Sequence, residues 1–269
     1  MTRIVIIGAA GRMGNALLRA AGALADLKIT GAIVSPRSAA VGQDAGEVAG
    51  VAPLGIKLTT DLPSALAGAE VAVDFSSANA TRSNLAACRS ARKALLIGTT
   101  GFAADLSGEF AEAARDIPLL VAPNTSLGVT LLIELVRTAA ASLPPEFDIE
   151  VIEAHHRMKR DAPSGTALAL GRAAAEARGQ PFEACAAAPR PPGTARRPGE
   201  IGFAVIRAGD IVGEHTVVLA GPGERLALRH EATDRGVFAR GALQAAAWLA
   251  ARPAGRYFMR DLLALKSGA

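Results

Sequence analysis

The chain has 269 residues, half of them apolar, with a formal net charge of +4, 4% aromatic residues and two cysteines. That length suits one large domain or two ordinary ones around a sizeable core, and the apolar runs stop well short of the roughly 18 to 20 residues of a membrane-spanning helix. The basic residues are mostly scattered and few aromatics lie among them, which argues against nucleic-acid binding. Cys88 and Cys185 have no second Cys or His at ligand spacing, so neither a disulfide framework nor a metal site is expected.

In chain order, Ile4 to Ile7 is a β-branched run followed by Gly8-Ala9-Ala10-Gly11-Arg12-Met13-Gly14 and an Ala/Leu-rich helical stretch to about Ala25. The apolar run after Arg3 is too short and too soon broken for a signal peptide, so a cytoplasmic location is the expectation. Strand, glycine turn and helix open a nucleotide-binding βαβ unit. Gly8, Gly11 and Gly14 permit a sharp turn, let a pyrophosphate approach backbone N–H groups and let the helix pack close to the sheet. A glycine turn after a strand is also an ordinary feature, and this stretch alone does not decide between the two.

The second strand, Lys28 to Val34, ends at Ser35-Pro36-Arg37. A nicotinamide dinucleotide needs an acid there for the ribose hydroxyls or a cation for a 2′-phosphate. Ser35 supplies no acid, and Arg37 or Arg12 suits the phosphate, which favours NADPH with use of NADH left open; Arg37 reads equally as a solvated loop charge. Strands at Val71 to Phe75, Ala94 to Ile97 and Pro118 to Ala122 alternate with helices at Ala80 to Arg92 and Ala103 to Arg115, which implies a parallel sheet covered on both faces. Gly98-Thr99-Thr100 falls at the carboxyl end of a strand, where such sheets bind ligands, or is a plain strand-to-helix turn.

After about Ser126 the rhythm changes. A helix from Gly128 to Ser142 precedes an alternating strand, Asp148 to Ala154, then a helix from Ser164 to Arg178. The Pro/Gly/Arg-rich stretch Arg190 to Arg197 reads as a solvated loop. Three strands follow, Gly202 to Arg207, Val212 to Ala220 and Arg225 to Glu231, with short turns that predict a mostly antiparallel sheet. Helices close the chain at Gly236 to Ala251 and around Asp261 to Leu265.

The most informative stretch is Glu153-Ala154-His155-His156-Arg157-Met158-Lys159-Arg160-Asp161-Ala162-Pro163-Ser164-Gly165-Thr166. Two imidazoles and three cations precede a helix start with Ser164 as N-cap. The first-turn N–H groups of Gly165 and Thr166 then favour a carboxylate or phosphate. In a strand, Ile149, Val151, Glu153 and His155 share one face, so adjacent His155 and His156 point apart and take different jobs. Glu153 and Asp161 orient the basic groups or cap local backbone, and both readings stand. His215 and His230, inside strands and without evident partners, read as structural.

The segment EAHHRxKxDAPSGTA, with the N-terminal glycines and Gly98-Thr99-Thr100-Gly101-Phe102, resembles the 4-hydroxy-tetrahydrodipicolinate (dihydrodipicolinate) reductase family over about residues 4 to 265. The resemblance implies an α/β protein with a Rossmann-type doubly wound parallel sheet in residues 1–126, completed by 236–269. It implies an α+β substrate-binding and oligomerisation domain in 127–235 with a mixed, mostly antiparallel sheet, and a homotetramer. NADPH or NADH would lie on Gly8 to Gly14, Ser35 and Arg37. The nicotinamide half would lie on Gly98, Thr99, Thr100 and on Ala122, Pro123, Asn124, Thr125. Many members carry an acid where this chain has Ser35. The implied substrate is a small cyclic dicarboxylate, with Lys159 as proton donor, His155 as general acid/base, His156 touching substrate, and Gly165 and Thr166 holding a carboxylate. A hinge near 126–128 and 234–236 would exclude water during hydride transfer. The alternatives are a dehydrogenase of another small acid and a non-catalytic dinucleotide or metabolite sensor.

Overall fold

The computed structural model describes residues 1–102, 105–187 and 193–263. The chain divides into two compact units, one formed by Met1–Leu127 with the described residues from Gly236 to 263, the other by Gly128–Arg235.

The first unit begins β1 (Thr2–Ile7), α1 (Arg12–Ala21), β2 (Leu27–Ile33), α2 (Ala45–Ala49), β3 (Leu58–Thr59), α3 (Leu62–Ala67), β4 (Val71–Asp74), α4 (Ala78–Ser90), β5 (Ala94–Ile97), α5 (Ser107–Asp116) and β6 (Pro118–Val121). The second unit holds α6 (Leu127–Ser142, entering from the first), β7 (Asp148–His155), α7 (Gly165–Ala177), α8 (Phe182–Cys185), β8 (Ala186–Ala187), β9 (Ile201–Arg207), β10 (Gly213–Gly221) and β11 (Glu224–Ala232). The chain then returns with α9 (Gly236–Ala250), β12 (Gly255–Tyr257) and α10 (Met259–Leu262).

Among the described residues of the first unit, seven strands form a wholly parallel sheet in the order β12-β6-β5-β4-β1-β2-β3. Strands covered on both faces read as continuous apolar runs, because alternate side chains enter different cores. Ile4 and Ile6 pack with Leu17 and Leu18 of α1 and with Leu243 and Leu249 of α9, whereas Val5 and Ile7 pack with Leu66, Leu85 and Phe110 of α3, α4 and α5. Each fully buried Ile or Leu stabilises by about 1.5–3 kcal/mol. The edge strands β3 and β12 leave no mark in the sequence, since two or three residues carry no readable period. The expected helix start at Ala103 and the end near Leu265 lie outside the described residues.

In the second unit α6 and α7 cover one face of a five-stranded sheet of order β11-β10-β7-β9-β8, with Leu132, Val136, Leu170, Ile149, Val151, Val217 and Leu219 among the core residues. The β10–β11 and β10–β7 pairs are antiparallel, and β7–β9 and β8–β9 are parallel, so the sheet is mixed. One expectation is corrected here: the short turn Ala208-Gly209-Asp210 does not join neighbouring strands, because β7 lies between β9 and β10. Arg196 also departs from the solvated-loop reading. Its side chain is only 17% exposed, pairs with Asp148 and Glu150, and donates to the carbonyls of Ile149 and Glu200, tying its loop to β7. Arg190, in the same expected loop, lies outside the described residues.

Candidate active site

Because the first sheet is parallel, the loops after β1, β2, β4, β5 and β6 leave from one edge, and neighbouring β1 and β4 are where its order reverses, the usual place for a dinucleotide. The N–H groups of Gly8 and Ala9 both reach Ile33 O at 2.9 Å, and Gly11 begins α1 in extended backbone (φ −76°, ψ 170°). Gly8 has φ +84°, and a Cβ there would stand 2.6 Å from Phe75 O; a Cβ on Gly14 would stand 2.3 Å from Gly8 O. Only glycine fits either position. Arg12, Ser35 and Arg37 are exposed, Met13 is half-buried, and Arg37 N–H donates to Ser35 Oγ.

The loops beyond β4 and β5 are bound together by buried Asp74, which accepts from Ser76 N–H (2.8 Å) and Asn84 Nδ2 (3.0 Å) and faces Thr99 Oγ1. A Cβ on Gly98 would enter the Phe75 ring. Thr100 and Pro123 are exposed, Asn124 is half-buried with its Oδ1 accepting Ser126 N–H, and buried Thr125 donates to Phe238 O on α9. Ala122 belongs to the core.

The second unit gathers the histidine motif at one end of its sheet. On β7, Glu153 and His155 are buried on the face that carries Ile149 and Val151. Register sets Arg207 of β9 beside His155, and His215 of β10 opposite Glu153. Glu153 meets His155 Nδ1 at 2.5 Å and accepts from Arg207 at 2.7 and 2.8 Å and from the backbone N–H of Ser164 at 2.9 Å. Of the two roles left open for Glu153, the structure shows both, an ion pair and a backbone cap. Asp161 pairs with Lys159 Nζ at 2.8 Å, and its carbonyl accepts from Arg207.

Ser164 caps α7 by accepting Ala167 N–H at 3.2 Å, which leaves Gly165 exposed at the helix head with Thr166 half-buried behind it. His156 lies just past the strand end and is half-buried, and its carbonyl accepts Lys159 N–H in a tight turn.

Burial lowers the His155 pKa below its ordinary value; Glu153 opposes this, and the Lys159 and Arg207 charges add to it. Burial works to raise the Glu153 carboxyl, but hydrogen bonds from Arg207, His155 and Ser164 prevail and hold it below the usual range. Burial drives His215 down to about 4, so it is neutral at ordinary pH. The thiol of Cys88 is pushed up to about 12 by burial and then by Asp74, which leaves it unreactive.

His215 has partners that its strand position alone did not show. It is not an isolated strand histidine: Nε2 meets Ser164 Oγ at 3.1 Å, and its ring stands edge-on to His155 with centroids 5.1 Å apart. Arg207 escaped the sequence reading altogether. The one available signal was strand alternation, which puts both residues on inward faces, but only the pairing order brings them to β7.

Residues 2–125 match the family model described as dihydrodipicolinate reductase, N-terminus, and residues 128–263 match its C-terminus. The chain belongs to the dihydrodipicolinate reductase family. Among its relatives in that family, a 4-hydroxy-tetrahydrodipicolinate reductase of Anaeromyxobacter dehalogenans is 48% identical over all of both chains. One of Alkalilimnicola ehrlichii is 50% identical over 98% of this chain and 99% of its own. A solved structure, a dipicolinate-bound dihydrodipicolinate reductase from Paenisporosarcina sp. TG-14, superposes with a TM-score of 0.77 at 22% identity, covering 96% of this chain and 97% of that one. It shares the fold.

Proposed function

We propose that the protein reduces 4-hydroxy-2,3,4,5-tetrahydrodipicolinate to 2,3,4,5-tetrahydrodipicolinate with NAD(P)H, releasing water, in diaminopimelate and lysine synthesis. The arrangement of His155, Lys159 and the head of α7 at one end of the second sheet carries this reading: a neutral buried imidazole, an ammonium group and an exposed helix N-terminus suit a small dicarboxylate. A bound nicotinamide supplies the hydride.

In this reading His155 exchanges a ring proton with substrate as water leaves and as the reduced ring is reprotonated. Lys159 donates a proton where negative charge develops. The N–H groups of Gly165 and Thr166 hold one carboxylate, and His156 touches the ring. Overall one hydride and one proton are added and one water is lost. On the first unit, Gly8 to Gly14 with Ser35 would hold the dinucleotide phosphates and ribose, and Gly98 to Thr100 with Ala122 to Thr125 the nicotinamide half. The exposed guanidinium groups of Arg12 and Arg37, with no acid at position 35, favour NADPH.

A homotetramer in the cytoplasm belongs to the same proposal. It is supported by the outer face of the second sheet, where Ile152 and Ile206 are 36% and 49% exposed. No helix among the described residues is long and apolar enough to cross a membrane.

The test follows loss of the reduced-nicotinamide absorbance with substrate generated in place from pyruvate and aspartate semialdehyde by a coupling synthase. Turnover should depend on the synthase and run faster with NADPH than with NADH. No turnover in folded protein that still binds either cofactor would leave a sensor or another substrate.

A further inference from the structure

We propose that Glu153 is a positioning residue for the reaction: its carboxylate, pinned by Arg207 and by the head of α7, fixes the proton of neutral His155 on Nδ1 and leaves Nε2 to exchange protons with substrate. The proposal rests on the reading of His155 as the acid/base.

Glu153 Oε1 accepts from Ser164 N–H at 2.9 Å and from Arg207 Nη2 at 2.8 Å; Oε2 accepts from Arg207 Nη1 at 2.7 Å and meets His155 Nδ1 at 2.5 Å. The side chain is fully buried, so water does not compete for these oxygens. An ionised carboxylate only accepts, and Arg207 never deprotonates, so the one group able to supply the proton between Glu153 and His155 is Nδ1 itself. Neutral imidazole carries one N–H, and placing it on Nδ1 leaves the lone pair on Nε2.

The groups that face His155 agree with this assignment. They are Glu153 on its own strand, Arg207 on β9, His215 on β10, and Lys159 between β7 and α7. His215 is engaged with Ser164 through its own Nε2, and Lys159 with Asp161, so neither takes over the Nδ1 position. Burial outweighs the attraction of Glu153 and keeps the ring neutral, the state in which the choice of tautomer decides what the ring can do. On the other side of the ring, a Cβ at Gly213 would stand 3.1 Å from Nε2, so glycine at this point of β10 keeps Nε2 approachable. Through Ser164 N–H, the same carboxylate also sets the helix head relative to the imidazole.

The experiment uses protein labelled with nitrogen-15 in its four histidines, with His155 assigned by the signals lost in His155→Gln. Wild type should show His155 protonated on Nδ1 and bare on Nε2. In Glu153→Gln, Arg207 and Ser164 N–H claim the single amide oxygen and the amide NH2 turns to Nδ1. The tautomer should then switch to Nε2–H, and kcat should fall by about 100-fold or more while the KM for the dinucleotide changes less than about two-fold. Arg207→Lys, which keeps a cation on Glu153, should retain the Nδ1–H tautomer and lose less activity. An Nε2–H tautomer in wild type, or an unchanged tautomer in Glu153→Gln at any activity, would overturn the proposal. Should Glu153→Gln fail to fold, the spectra of wild type and Arg207→Lys still decide it. Absence of turnover in the wild type would sink the proposed reaction instead and leave the tautomer result standing.

Discussion

Ser164 Oγ and His215 Nε2 lie 3.1 Å apart, joining the head of α7 to the middle strands of the second sheet across 51 residues of sequence. The hydroxyl already accepts Ala167 N–H, so its own proton is available to the neutral imidazole. Ser164→Ala removes a helix cap and strands a buried ring nitrogen together. We expect a stability loss of about 1–2 kcal/mol by urea denaturation, with a raised KM for substrate, since the helix head is the proposed carboxylate cradle.

Acid should destabilise the protein in a window that belongs to histidine. The folded pKa of His215, about 4, lies below the ordinary 6.5, so the unfolded chain binds the proton first. Its stabilising contribution is whole above pH 6.5 and is lost as pH falls toward 4; His155 and His230, also lowered by burial, act in the same direction. The His215 share is at most about 3 kcal/mol. Glu153, held below the usual carboxylate range, loses its contribution only at lower pH. Thermal melts between pH 7 and 4 should fall steeply in wild type and less steeply in His215→Gln, whose curve starts lower.

Lys159→Ala should reduce kcat by about 100-fold or more, the usual weight of a positioned proton donor, while dinucleotide affinity by fluorescence titration stays within about two-fold. Lys159 also pairs with Asp161 on the surface, but that partly solvated pair contributes little to stability. Turnover near the wild-type level would remove the assignment.

Gly14→Ala tests the glycine turn. The added methyl meets the backbone carbonyls of Gly8 and Ala9 at 2.3 and 2.5 Å, so α1 must shift off the sheet. Dinucleotide binding should be lost by isothermal calorimetry, with a lowered melting temperature. Binding at wild-type strength would show that the phosphates lie elsewhere.

Arg37→Ala addresses cofactor choice. Loss of a charge-assisted contact to a 2′-phosphate should raise the KM for NADPH roughly ten-fold and leave that for NADH nearly unchanged. Equal effects on both would return Arg37 to the status of a solvated loop charge.

What was legible in the sequence was local. Apolar runs at Ile4 to Ile7, Val71 to Val73 and Ala94 to Ile97 announced strands covered on both faces, and Gly8 to Gly14 announced the turn between β1 and α1. Ser164 as a helix cap followed from residue type alone. What was hidden was pairing. Nothing in the alternation of β9 and β10 says that β7 separates them, and a short turn argued the opposite. Arg207 and His215 were hidden for the same reason: each is an unremarkable strand residue until register sets it against His155 and Glu153. Arg196 in a Pro/Gly-rich stretch looked solvated because its acidic partners lie on β7, far back in the chain.

The strand order of the second sheet also dictates when its chemistry can arise during synthesis. A ribosome-bound chain that has released β7 and α7 already displays the whole histidine motif, but Arg207 follows Glu153 by 54 residues and His215 follows Ser164 by 51. Until both later strands have emerged and flanked β7, Glu153 has neither the burial nor the guanidinium partner of the folded site, and His155 has no His215 ring beside it. The buried cluster of Glu153, His155, Ser164, Arg207 and His215 is therefore complete only once β9 and β10 flank β7.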